Sequence, residues 1–145
     1  MDFIDKKILD IMAQDGRISV TALGRQINLS KTPTLNRLKR LETEGYILGY
    51  KAALNLGKLG REHIAFTEVK LNDTSEPALS AFNTAVRNIP EVEQCHMIAG
   101  AFDYLLKVRT SSIIDYRRVL GEEISKLPHV ANTSSHVSME SVVDK

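Results

Sequence analysis

The chain has 145 residues, enough for one ordinary domain or two small ones, and its 43% hydrophobic and 26% charged residues are those of a soluble globular protein. No run of eighteen apolar residues occurs, which excludes a membrane-spanning helix. Met1–Asp5 has neither the basic region nor the apolar core of a signal peptide. The formal charge of +1 hides an asymmetry: residues 1–60 hold ten Lys/Arg against six Asp/Glu (net +4), and residues 61–145 nine against twelve (net −3). Arg17 to Arg40 carries six bases and no acid, the electrostatic footprint of phosphate contacts or, equally, of a solvated helical face. A single cysteine, Cys95, cannot form an internal disulfide, which predicts a cytoplasmic protein.

In chain order, Ile4, Ile8, Leu9 and Met12 form one apolar helical face that stops at Asp15-Gly16. Ser19 is placed to cap a second helix, with Val20, Leu23 and Ile27 on its buried side and a break at Asn28-Leu29. Ser30 is placed to cap a third, with Pro33 in the first turn, a leucine stripe of Leu35, Leu38 and Leu41, and Gly45 after its end. Two helices joined by so tight a turn predict a helix-turn-helix. With the leucines inward, Thr32, Asn36, Arg37 and Arg40 are expected to point outward, with Lys39 on the flank. Asn pairs with adenine, Arg with guanine, and Lys or Arg holds phosphates. The small polar start Ser30-Lys31-Thr32 would let the helix N-terminus approach a duplex. The candidate DNA-contacting set is Ser30, Lys31, Thr32, Thr34, Asn36, Arg37, Lys39 and Arg40. Residues 46–54 then read as a strand, with a linker reaching residue 60 and a domain boundary near residues 50–60.

The second half repeats a unit. A strand at His63–Leu71 is followed by a helix starting at Thr74-Ser75-Glu76-Pro77, with Leu79, Phe82, Val86 and Ile89 buried. A strand at Val92–Ala99 comes next. The scheme begins again with a strand at Phe102–Arg109 and a helix carrying Ile113, Tyr116, Leu120, Ile124 and Leu127. A last strand spans Val130–Met139. The joints Ile89-Pro90-Glu91-Val92 and Leu127-Pro128-His129-Val130 echo each other 38 residues apart. The expectation is α+β: an N-terminal (winged) helix-turn-helix domain over residues 1–50, a linker strand over 51–61 and a ferredoxin-like β-α-β-β-α-β domain over 62–145. Two helices cover one sheet face. Apolar groups on both faces of the third strand call for a second subunit against the other.

Catalytic chemistry is thinly represented. The four histidines are scattered, and the adjacent Cys95 and His96 point to opposite faces of a strand, so no metal or other cofactor is expected. Asp103 is the one acid in an apolar stretch. It reads either as a hairpin-turn aspartate or as a carboxylate meeting the amino group of a small ligand.

The segments Ile4-Asp5 to Ile8-Leu9, Asp15 to Ser19, Leu29 to Thr34, Arg40-Leu41-Glu42, Gly45-Tyr46-Ile47, Phe82 to Val86, Cys95-His96, Gly100 with Phe102 to Leu106, and Tyr116 to Glu122 carry a resemblance along essentially the whole chain. The chain resembles the leucine-responsive and asparagine-regulator (Lrp/AsnC) family of bacterial and archaeal transcription factors. Its second half also resembles the subgroup that activates proline catabolism in alphaproteobacteria. The resemblance implies a cytoplasmic, nucleoid-associated regulator with double-stranded DNA as partner. It also implies a homodimer formed through the C-terminal domains, octamers built from dimers, and an amino-acid effector bound between dimers. Carried over residue by residue, the effector site takes Met97, Gly100, Ala101, Phe102, Asp103 and Tyr104, with His136, Val137 and Ser138 on the last strand. Leucine-type relatives carry an acid at the position of Ala101 and tyrosine at that of His136. Both departures put leucine itself in doubt, while the room at Ala101 and the apolar Met97, Phe102 and Val137 favour proline or a branched aliphatic amino acid over a charged one. The chain starts almost at its first helix, without the basic tail of some relatives. Two other readings compete: an enzyme with the layout of tetrapyrrole decarboxylases, and a sensing module that has lost DNA binding. The basic third helix and the caps around it favour the regulator over both.

Overall fold

The computed structural model describes residues 1–145, which divide between Leu54 and Asn55 into two units. No helix is long and apolar enough to cross a membrane.

In the first unit, α1 (Phe3–Gln14) begins at a capping box. Asp2 accepts the Asp5 amide at 2.9 Å, and Asp5 accepts the Asp2 amide at 3.1 Å. Helix α2 (Val20–Ile27) starts where the Ser19 hydroxyl accepts the Ala22 amide at 3.0 Å. It ends at Asn28 in the left-handed conformation, with the Leu29 amide on the Gly24 carbonyl at 2.9 Å. Helix α3 (Lys31–Thr43) closes with Gly45 at φ 78°, whose amide reaches Glu42 while that of Tyr46 reaches Leu41. Ile8, Leu23, Ile27, Leu38 and Leu41 form the core these helices share.

Gly24 decides how closely the two reading helices approach. A Cβ there would lie 2.6 Å from the Leu29 carbonyl oxygen and 3.0 Å from the Thr34 hydroxyl. The tight turn between α2 and α3 therefore has room only for hydrogen at this position.

The strand and wing expected after α3 do not form: residues 46–62 run as turns and irregular chain. Instead Tyr50 folds back within the unit and donates its hydroxyl to Glu42 at 2.7 Å. Tyr46, Leu48 and Leu54 remain exposed, and an apolar run with no strand partner to satisfy its amides has no reason to extend.

The second unit is an antiparallel sheet in the order β2-β3-β1-β4, formed by β1 (His63–Leu71), β2 (Val92–Met97), β3 (Tyr104–Thr110) and β4 (Val130–Val137). Helices α4 (Glu76–Val86) and α5 (Ile113–Val119, continued by one wide π turn over Leu120–Ile124) complete the β-α-β-β-α-β order. Ala65, Val69, Leu106 and Val108 pack with Phe82, Val86, Tyr116, Val119 and Ile124 in one core. The echo in the sequence is structural: the Val92 amide bonds to Ile89 at 3.2 Å and the Val130 amide to Leu127 at 3.3 Å, the same turn around each proline. On the other face lie Phe66, Glu68, Leu105, Lys107 and Arg109. Lys107 and Arg109 are nonetheless buried, paired with Glu93 of β2 and Asp144 of the C-terminal segment.

Candidate functional site

Helix α3 presents two kinds of surface. Ser30, Lys31, Thr32, Asn36 and Lys39 are exposed, as a groove-reading face requires. The Ser30 hydroxyl makes no cap bond, although its carbonyl accepts the Thr34 hydroxyl at 2.8 Å. Thr34 is fully buried, which corrects its place among the DNA-contacting residues. It replaces Leu35 in the inward stripe, because its hydroxyl is satisfied within the turn and its small side chain fits beside Gly24. Leu35 is only half-buried.

Arg37, half-buried, and Arg40, exposed, are both held by acids at the start of α1. Arg37 Nη1 donates to Asp2 Oδ2 at 2.7 Å and to Asp5 Oδ1 at 2.9 Å. Arg40 Nη2 donates to Asp5 Oδ2 at 2.5 Å. Asp5 is 1% exposed, against 26% for the Arg37 side chain and 48% for that of Arg40. The Asp5 amide first, and the Arg37 guanidinium second, hold Asp2 down to about 2. For Asp5, burial pushes upward, but the Asp2 amide and the two arginines outweigh it and keep it below the usual carboxylate range. Sequence reading missed this pair of acids. Their signal is the spacing of three residues at a helix start, which marks a capping box but does not say what lies across from it.

The residues implied as the effector site are not brought together within one chain. The β2–β3 hairpin carries Gly100, Ala101, Phe102 and Asp103, closed by the Ile98 amide on the Asp103 carbonyl at 2.8 Å and the Asp103 amide on Val69 at 2.9 Å. His136 and Val137 pair with Phe66 and Ala65, three and four residues along β1 from the Val69–Tyr104 pair. At about 3.3 Å per residue they stand roughly 10–13 Å away along the strand direction. Ser138 lies beyond them, its amide on the Ile64 carbonyl at 2.9 Å.

Two of the hairpin residues have other work in the fold. Asp103 Oδ2 accepts the Leu71 amide at 2.7 Å, where the β1–β4 register shifts, so this carboxylate serves the backbone. Tyr104 is buried on the helix side, its ring 4.2 Å from Phe82 and its hydroxyl donating to Asn83 at 2.6 Å. With Met97, Cys95, Gln94 and Arg87 it lines a cleft of about 510 Å³ between α4 and β2. Met97, Gly100, Ala101, His136 and Val137 are exposed, and His136 Nε2 lies 2.8 Å from Glu68.

Comparison with known proteins covers both units. The AsnC-type helix-turn-helix domain matches residues 1–42, and the Lrp/AsnC ligand binding domain matches residues 64–145. The chain is 66% identical over 142 residues to a proline dehydrogenase transcriptional activator of Rhizobium radiobacter, covering 98% of this chain and 91% of that protein. It is 52% identical over 145 residues to the activator of the same name from Rhodobacter capsulatus, covering 100% and 94%. Among solved structures, a transcriptional regulator from Neisseria meningitidis in complex with L-Met aligns with a TM-score of 0.92 at 27% identity, covering 99% of this chain and 93% of that one.

Proposed function

The chain belongs to the Lrp/AsnC family of transcriptional regulators, and from that premise we propose that it reads DNA through one face of α3 and answers to a small apolar amino acid, proline before others. It is a regulator and not an enzyme, as its curated relatives are. The observation that carries the DNA reading is the α3 surface itself. Lys31, Thr32, Asn36 and Lys39 lie exposed along a helix whose start is pressed against α2 at Gly24. Lys31 and Lys39 supply phosphate contacts and Asn36 a base-edge contact, with Arg37 and Arg40 meeting the duplex from fixed positions.

The likeness to two proline dehydrogenase transcriptional activators supports control of a proline dehydrogenase gene, and proline, the substrate of that enzyme, is the signal such control would answer to. The L-Met complex of the Neisseria meningitidis regulator supports an apolar amino acid as the effector class. Exposed Met97, Ala101 and Val137 favour such a ligand over a charged one. Because the hairpin and the end of β4 lie apart, the site is completed by a second chain. The open sheet face bearing Phe66 and Leu105 is the surface on which dimers form, and octamers follow from their association. An effector bound between chains shifts the assembly only by its differential affinity for the two states.

The test is binding of the full chain to duplexes enriched from a random pool, and to the region upstream of a proline dehydrogenase gene, with proline, leucine, methionine or arginine added. Proline or an aliphatic amino acid is expected to alter affinity or assembly size, and a dominant response to arginine would overturn the effector class. Asp103→Ala separates the two roles of that carboxylate. It is expected to cost about 1 kcal/mol of stability by orphaning the Leu71 amide, and an unchanged response to amino acids would assign it to the fold alone.

A further inference from the structure

The cations of α3 are not equivalent. Lys31 and Lys39 are exposed, whereas Arg37 and Arg40 are already bound to carboxylates. We propose that Asp2 and Asp5 are specificity-determining residues for DNA recognition, an internal substitute for phosphate that withholds Arg37 and Arg40 from the backbone of arbitrary duplexes. The proposal rests on α3 being the reading helix.

The geometry makes the withholding effective. Both of Arg37's carboxylate bonds fall on Nη1, and Arg40's falls on Nη2. Each guanidinium fork therefore keeps further donors for DNA while its position is fixed. A phosphate can capture either arginine outright only by displacing Asp5, which is 1% exposed and would be left as a buried, unpaired charge. Such a phosphate is offered identically by every duplex, so the competition removes binding that carries no sequence information. A base edge that meets the held fork in place displaces nothing and is rewarded in full. Asp5 acts through the arginines and touches no DNA; it is a positioning residue. Asp2 does the same for Arg37 while capping α1.

The test compares wild type, Asp5→Asn and Asp2→Asn as full-length chains, by fluorescence anisotropy on a random-sequence duplex and on one enriched with wild type, each over a salt titration. Asn keeps the shape at both positions and is itself a good N-cap, so Asp2→Asn removes charge while retaining the helix start. With Asp5→Asn the random-duplex slope of log K against log salt is expected to steepen by roughly one to two per bound chain. Affinity for that duplex should rise roughly five- to tenfold per freed arginine near 0.1 M salt. Affinity for the enriched duplex should change less, so the ratio of the two falls. Asp2→Asn, which frees Arg37 only in part, should give a smaller change of the same sign. It also decides the matter if Asp5→Asn does not fold. A parallel loss on both duplexes, or unchanged slopes and ratio in a folded variant, would overturn the proposal. If wild type itself showed no preference for the enriched duplex, the reading of α3 would fail instead.

Discussion

Both units set two cations against two carboxylates, on different supports and to different ends. In the first, Asp2 caps α1 and Asp5 lies in its first turn, and the two take Arg37 and Arg40 from the neighbouring α3. The arginines stay accessible while the acid beneath is sealed. In the second, Lys107 and Arg109 alternate along β3 and are met by Glu93 and by Asp144. Here the cations are the buried partners, and Arg109 also donates to the Arg61 carbonyl at 3.2 Å. A helix surface offers neighbours at three and four residues, so a short acidic step can grip an exposed face. A strand sends alternate residues to one side, so a charged pair there is sealed only when another segment lies over it. The first arrangement leaves its cations within reach of a partner molecule, and the second buries its cations against the sheet.

Truncating one core tests most directly whether the two regions are energetically separate. Phe82→Ala removes the ring stacked on Tyr104 and should cost the second unit about 3–5 kcal/mol. Hydrogen exchange should report lost protection over residues 63–137 with α1–α3 unchanged, and equal loss in both units would erase the distinction. Gly24→Ala is the counterpart in the first unit. Its Cβ must push away the Leu29 carbonyl and Thr34, at about 1–3 kcal/mol, and protection should fall in residues 3–43 alone. Tyr116→Phe is milder. It removes a hydroxyl bonded to Thr67 at 2.7 Å and Ser135 at 2.5 Å beneath the sheet, for about 1–1.5 kcal/mol in thermal unfolding.

The smallest effect is on acid stability and belongs to the first unit. Asp2 titrates near 2 in the folded chain against an ordinary 3.8, so its contribution is complete above about pH 4 and is lost as pH falls from there towards 2. Melting followed over that window should show the decline, and Asp2→Asn should flatten it. A variant as acid-sensitive as wild type would detach the Asp2 carboxylate from the stability of α1.

Much of the architecture is a matter of near neighbours along the chain and is legible there. The strand His63–Leu71 has its predicted bounds, α2 is capped by Ser19 and broken at Asn28, and the two proline joints repeat. Alternation, helical spacing and caps all act within a few residues, so sequence determines them. The same holds for the family, because its motifs are local strings. What sequence left open depends on contacts between distant segments. The acid-free stretch Arg17–Arg40 looks unopposed until α1 packs beside α3 and brings acids from 32 and 35 residues away onto its arginines. Thr34 turns inward only because Gly24 of another helix makes space for it. Asp103 is spent on Leu71, and Tyr104 on Asn83, through pairings that only the folded sheet creates. The hairpin and the end of β4 lie far apart for the same reason: strand register, fixed when β1 pairs on both sides, sets where each side chain stands.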